Sequence, residues 1–266
     1  MTITPLDTKA GTEQAPGLIY AEMPLSGQIV RLATDLYLPK PAARPAPLLV
    51  WLGADILSDR SANPAGPRRL AEVLTRHGVA LATPSVRVGA ARSDLPNGVV
   101  ERLARIEKDR DRSVDPVLST FPAMAATEDI CAFLAWVEVQ GAQFGLSGQV
   151  VLAGASTGAG LAFNTAIVAP RLGLSRPAPV GLMSYSGTCA WPSFFAPGAM
   201  RAFAMHNPTD RRMSIAPVRV MAQLDPLFEL IESIEQAHGS LGLWPQETTQ
   251  DACGRILARV HRWCAT

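Results

Sequence analysis

The chain has 266 residues, 48% of them hydrophobic and 18% charged, the balance of a globular protein rather than a disordered one. The formal net charge is +1 and the basic residues are dispersed, so neither nucleic acid nor anionic lipid is favoured as a partner. Cysteines 131, 189, 253 and 264 have neither metal-ligand spacing nor the density of a disulfide scaffold, and they read as reduced thiols.

No stretch approaches the roughly 20 apolar residues that span a bilayer. Residues 1–17 lack a basic region followed by an apolar run, so a cytoplasmic protein is expected. Short apolar runs then alternate with longer amphipathic segments, as strands and crossover helices do around a mostly parallel sheet. The spacing predicts strands at 29–38, 48–52, 79–83, 149–153, 180–185 and 218–223. It predicts helices at 68–77, 99–109, 125–140, 159–169 and 256–263, and a helix-like run at 227–237. Segments 86–122 and 186–216 are loosely patterned and rich in proline, and they read as insertions able to form a lid or pocket wall. The expected organisation is an N-terminal extension, 1–28, followed by one α/β domain, 29–266, with helices on both faces of its sheet.

Gly154-Ala155-Ser156-Thr157-Gly158 fits G-x-S-x-G, and its context makes it informative. An apolar strand enters it and a small-residue helix leaves it, the layout of a nucleophile elbow. A turn this tight strains the serine backbone, while the glycines let neighbouring chain pass without a Cβ clash. The hydroxyl would project from the carboxyl end of the sheet, beside helix N–H groups able to stabilise an oxyanion.

The wider sequence resembles bacterial carboxylesterases related to hormone-sensitive lipase, within the α/β-hydrolase superfamily. The likeness rests on Asp35-Leu36-Tyr37-Leu38-Pro39, on the run from Pro47 to Gly53, and on Phe121-Pro122-Ala123, Glu128-Asp129 and Ala135-Trp136. Ser156 with its glycines and Leu224-Asp225-Pro226-Leu227 complete it. The resemblance implies an α/β-hydrolase fold with Ser156 as nucleophile and Asp225 as the acid that orients a histidine. Asp225 also stands just past a predicted strand, on the sheet edge where ligands bind, although an Asp before Pro226 equally suits a helix cap.

The chain departs from that family in two places. Where the family carries His-Gly-Gly-Gly, this sequence has Leu52-Gly53-Ala54-Asp55, so the oxyanion donors fall to the backbone of Thr157 and Ala54. Asp55 would oppose an oxyanion unless it points away or pairs with Arg60. The base must follow the acid in the family's order, which leaves His238 and His261. His238, before Gly239, is the expected base; His206, His261 and the lack of any catalytic histidine are the alternatives, and His77 reads as structural. The expectation is a serine hydrolase acting on a small carboxylic ester or related acyl compound, without metal or organic cofactor. A silent binding protein of the same fold and an acyltransferase are the alternatives. Trp191, Phe194, Phe195 and Phe203 would either wall an acyl pocket or pack in the core.

Overall fold

The computed structural model describes residues 6–8, 12–41, 45–58 and 65–265. Its strands are β1 (Leu6–Thr8), β2 (Thr12–Leu25), β3 (Gln28–Leu38), β4 (Ala46–Leu52) and β5 (Ala80–Pro84). They continue as β6 (Leu146–Ala155), β7 (Gly181–Tyr185), β8 (Arg201–His206) and β9 (Phe228–Glu232). The helices are α1 (Ala65–Arg76), α2 (Asn97–Ile106), α3 (Phe121–Gln140), α4 (Thr157–Phe163), α5 (Ala216–Leu224) and α6 (Thr249–Cys264).

Among the described residues one sheet runs in the order β1-β2-β3-β5-β4-β6-β7-β8-β9. Pairing from β5 through β4 to β9 is parallel, and β1, β2 and β3 add an antiparallel wing. The apolar runs alternate between two buried faces, as strand geometry requires. Leu48, Val50, Leu52, Val150 and Leu152 face the side covered by α2, α3, α4 and α5. Leu49, Val151, Ala153, Met183 and Phe203 face α1 and α6. Burial on both faces is why these strands read as continuous apolar runs.

Several expected elements differ. Residues 12–25, expected in an extension outside the domain, form β2 of the same sheet, joined to β3 through Ser26 and Gly27. Both turn residues have positive φ, 52° and 77°, the geometry of a two-residue hairpin. The expected strand at 218–223 is helix α5. Pro217 sits in its first turn, and Val218 and Met221, three apart, turn inward. The helix-like run at 227–237 begins instead as β9, the outermost strand. Within the 186–216 segment β8 escapes the pattern because alanine, methionine and histidine make a weak strand signal.

The 86–122 segment is fastened by Arg87, whose side chain is fully buried. Arg87 Nε donates to Asp129 Oδ1 at 2.8 Å and Nη2 to Glu128 Oε2 at 2.6 Å, while Nη1 reaches the carbonyls of Pro24 and Asp94. Burial raises the Asp129 carboxyl to about 6, against the opposing pull of Arg87. No helix among the described residues is long and apolar enough to cross a membrane.

Candidate active site

Ser156 follows β6 and precedes α4 with φ 51° and ψ −120°, a strained conformation for a residue bearing Cβ. Its N–H donates to Tyr185 O at 2.9 Å, and its carbonyl accepts from Gly160 N at 3.1 Å, so both flanking elements hold the turn. The two motif glycines are required sterically. A Cβ on Gly154 would lie 2.6 Å from the Gly158 carbonyl carbon. A Cβ on Gly158 would strike the carbonyl oxygens of Leu52 and Gly53. The first turn of α4 is therefore pressed against the end of β4. That contact brings the turn containing Ala54 beside the amino end of α4, where Thr157 is the first residue. Asp55 in the same turn is exposed, and Arg60 lies outside the described residues.

His238 reaches this serine from the segment after β9. Its Nε2 is 2.7 Å from Ser156 Oγ, and its Nδ1 is 2.5 Å from Asp210 Oδ2. The tautomer that satisfies both contacts carries its proton on Nδ1, donates it to Asp210, and accepts from the Ser156 hydroxyl. Asp210 Oδ1 accepts from the backbone N–H of Arg212 at 2.8 Å, and from Met213 N–H at 3.4 Å. Burial works to raise the Asp210 carboxyl, but the bonds from His238 and those N–H groups outweigh it and hold the group below its usual range. Asp210 is thus an ionised, buried acceptor aimed at the imidazole.

The structure corrects the expectation for Asp225. Its Oδ2 accepts from Gly198 N–H at 2.7 Å and its Oδ1 from Leu227 N–H at 2.8 Å. Both oxygens are engaged in fixing the turn between α5 and β9, and the Nδ1 partner of His238 is Asp210 instead. The difference follows from the 218–223 segment. With that segment helical, Asp225 follows a helix, and the strand that delivers the acid to the carboxyl edge of the sheet is β8, on the far side of β7 from β6. A signal for Asp210 is present in the sequence: the run 201–206 ends in Asn207-Pro208-Thr209-Asp210, a turn that carries an acid just past a buried segment.

The remaining histidines stand apart from Ser156 Oγ. His206 is fully buried with its Nε2 3.0 Å from Met213 O and 3.8 Å from Asp210 Oδ2. Burial lowers its pKa and keeps it neutral. His261 Nε2 donates to His77 O at 3.0 Å, joining α6 to the end of α1. Three of the four aromatic candidates, Trp191, Phe195 and Phe203, are buried core residues. Phe203 lies under the Arg259 guanidinium at 3.7 Å, and the Trp191 indole donates to Ile106 O.

Ser156, Asp210 and His238 follow β6, β8 and β9, so all three come from the carboxyl edge of the parallel part of the sheet. A mostly parallel sheet in this order, covered on both faces, with serine on a strained strand-to-helix turn at that edge, defines the α/β-hydrolase fold. A family model described as alpha/beta hydrolase fold matches residues 119–219.

Solved structures agree over nearly the whole chain. Thermogutta terrifontis esterase 2 phosphonylated by cyclosarin is similar at a TM-score of 0.64 and 18% identity, covering 93% of this chain and 92% of that one. The propionate-bound form of the same thermophilic esterase gives 0.64 and 17%, covering 96% and 94%. A bacterial heroin esterase gives 0.64 and 15%, covering 95% and 84%. No curated protein matches the sequence.

Proposed function

We propose that the protein is a serine hydrolase that cleaves a small carboxylic ester, or a related acyl compound, through an acyl-enzyme on Ser156. One observation carries this reading: the unbroken chain of contacts from Ser156 Oγ through His238 to Asp210. A neutral serine hydroxyl is a weak nucleophile at pH 7, and an imidazole within hydrogen-bond reach removes that obstacle.

In the first half of the cycle Ser156 Oγ attacks the ester carbonyl carbon while His238 Nε2 takes its proton. Asp210 holds the ring in register and stabilises the imidazolium that forms. The backbone N–H groups of Thr157 and Ala54 supply the oxyanion donors in this reading. Collapse of the tetrahedral intermediate returns the proton from His238 to the departing alcohol. In the second half water gives its proton to His238 and attacks the acyl carbon, releasing the carboxylic acid and regenerating the serine hydroxyl. Nothing in these steps calls for a metal or an organic cofactor. The free cysteines accord with a reducing, cytoplasmic setting. The similar structures include an esterase phosphonylated by cyclosarin, which supports the choice of substrate class and probe.

The test is labelling with a fluorophosphonate, compared between native protein and Ser156→Ala, alongside turnover of short-chain nitrophenyl esters. A Ser156-dependent adduct together with ester turnover is expected. An absent adduct would sink the hydrolase reading in favour of a silent binding protein of this fold. An adduct without turnover in water would reassign the site to acyl transfer.

A further inference from the structure

A cavity lies at the other edge of the sheet from Ser156. Helix α4 leaves the serine at the carboxyl edge and continues through a π turn, Asn164–Val168, back along the sheet. Ala166 is ten residues beyond Ser156, so about 15 Å of helix separates them at ~1.5 Å per residue. Residues 166–171 meet residues 178–179, which precede β7, and 199–200, which precede β8. Together they line a cavity of about 480 Å³. That volume falls within the range of small-molecule sites, roughly 300–1,000 Å³.

The lining combines apolar surface with cationic groups. Ile167, Phe194, Phe195 and Met200 supply apolar surface, and Arg171 and Arg176 are the ionisable side chains. Among the described residues neither guanidinium has a carboxylate within ion-pair distance. Arg171 lies over the Phe194 ring, 5.1 Å from its centre, which keeps the cation at the cavity wall. Arg176 donates Nε–H to Thr165 O at 2.6 Å, Nη1–H to Pro177 O at 3.0 Å and Nη2–H to Ala166 O at 2.5 Å. Three of its five N–H groups are thereby used, and two remain. Burial pushes this guanidinium below its ordinary range, as expected of a cation with no anion beside it.

We propose that this cavity binds a small amphiphilic carboxylate, with its head group against Arg171 and Arg176 and its hydrocarbon or aryl body against Ile167, Phe194, Phe195 and Met200. A planar carboxylate matches the guanidinium fork and supplies the missing counter-charge. An inorganic anion would leave the apolar wall uncovered, and a neutral lipid would leave two cations unpaired. The site does not depend on the hydrolase reading. If that reading holds, the acid released at Ser156 belongs to the ligand class this cavity takes, which would couple product to enzyme at a distance.

Titration calorimetry of octanoate and of octanol tests the site on native protein and on Ser156→Ala, Arg171→Gln, Arg176→Gln and Ala199→Phe. Saturable octanoate binding is expected in native protein and in Ser156→Ala alike. Binding falls about tenfold or more in both arginine variants and is about tenfold weaker for octanol. It disappears in Ala199→Phe, where the added ring fills the cavity. Arg176→Gln also removes carbonyl bonds, whereas Arg171 and Ala199 are exposed, so their variants keep the test decisive should Arg176→Gln fail to fold. Octanoate binding that survives both Arg171→Gln and Ala199→Phe overturns the proposal, as does no binding to native protein. Binding lost only in Ser156→Ala overturns it too, because it assigns the ligand to the elbow site.

Discussion

The Asn207 amide donates to both Ile234 O, at 2.9 Å, and Gln236 O, at 3.0 Å, so one side chain ties the turn carrying Asp210 to the segment carrying His238. Asn207 touches neither Ser156 nor the imidazole. It sets the distance between the acid and the base from behind. Asn207→Ala is expected to lower kcat roughly tenfold to a hundredfold, the scale of an ångström-sized misplacement of catalytic groups. KM should change little, because no substrate contact is lost. A variant with normal kcat would show that the 2.5 Å contact of His238 with Asp210 holds itself in place.

The two candidate acids separate cleanly by mutation. Asp210→Asn should reduce ester turnover by about 10⁴, as loss of the orienting carboxylate does in serine triads. Asp225→Ala should leave most of the chemistry intact and instead cost about 1–2 kcal/mol of stability, through the loss of its two hydrogen bonds to the Gly198 and Leu227 N–H groups. The reverse pattern in paired kinetic and denaturation measurements would restore Asp225 to the site. The pH dependence of stability follows from the lowered pKa of Asp210. A group held below its unfolded value stabilises the fold above the ordinary carboxylate range, and that contribution fades as pH falls through the lowered folded value. Thermal melts of native protein and Asp210→Asn should therefore differ most at neutral pH and converge in strong acid.

His206 is a positioning residue in this arrangement. Its Nε2–H donates to Met213 O and closes the turn whose N–H groups hold Asp210 Oδ1. His206→Leu should lower kcat by about tenfold or more with KM nearly constant. His206→Gln, which can offer an amide N–H in the same direction, should recover part of the loss. Equal damage in the two variants would reduce His206 to a packing role.

Arg87→Met leaves Asp129 buried without its cation, and breaking such a pair costs about 3–5 kcal/mol. In the variant the Asp129 pKa rises further above its unfolded value. The penalty therefore appears as pH climbs past the ordinary carboxylate range and is complete once Asp129 is ionised in the fold. Denaturant unfolding should show a larger deficit at pH 8 than at pH 5. A deficit independent of pH would mean that lost packing, and not charge, is what Arg87 contributes.

The serine is legible in the sequence because its requirements are local. A positive φ at Ser156, a missing Cβ at Gly154 and Gly158 and an apolar strand before them all fall within ten residues. His238 is legible through its glycine neighbour and its place in the chain, although the run before it is a strand and not the expected helix. Asp210 is not, for a physical reason. Whether an acid faces the site depends on which segments are strands that end at the carboxyl edge, and β8 is written largely in alanine, methionine and histidine, which carry little strand preference. The 218–223 segment misleads in turn because its valines and methionine also suit a strand. Pro217 and the inward pair Val218 and Met221 decide for the helix only once the core is in view.

The base, finally, hangs from the rim of the sheet. His238 follows β9, the outermost strand, which pairs on one side only and keeps residues 229–231 half-buried. Rim strands open by sub-global fluctuations that leave the centre of a sheet intact. The serine is built into the rigid middle, whereas the imidazole is carried by the part of the molecule that frays first. On gentle heating, ester turnover should vanish before far-ultraviolet dichroism reports any melting, and hydrogen exchange should find the amides of β9 less protected than those of β6. Coincident loss of the two signals would mean that the sheet, rim included, opens as one unit.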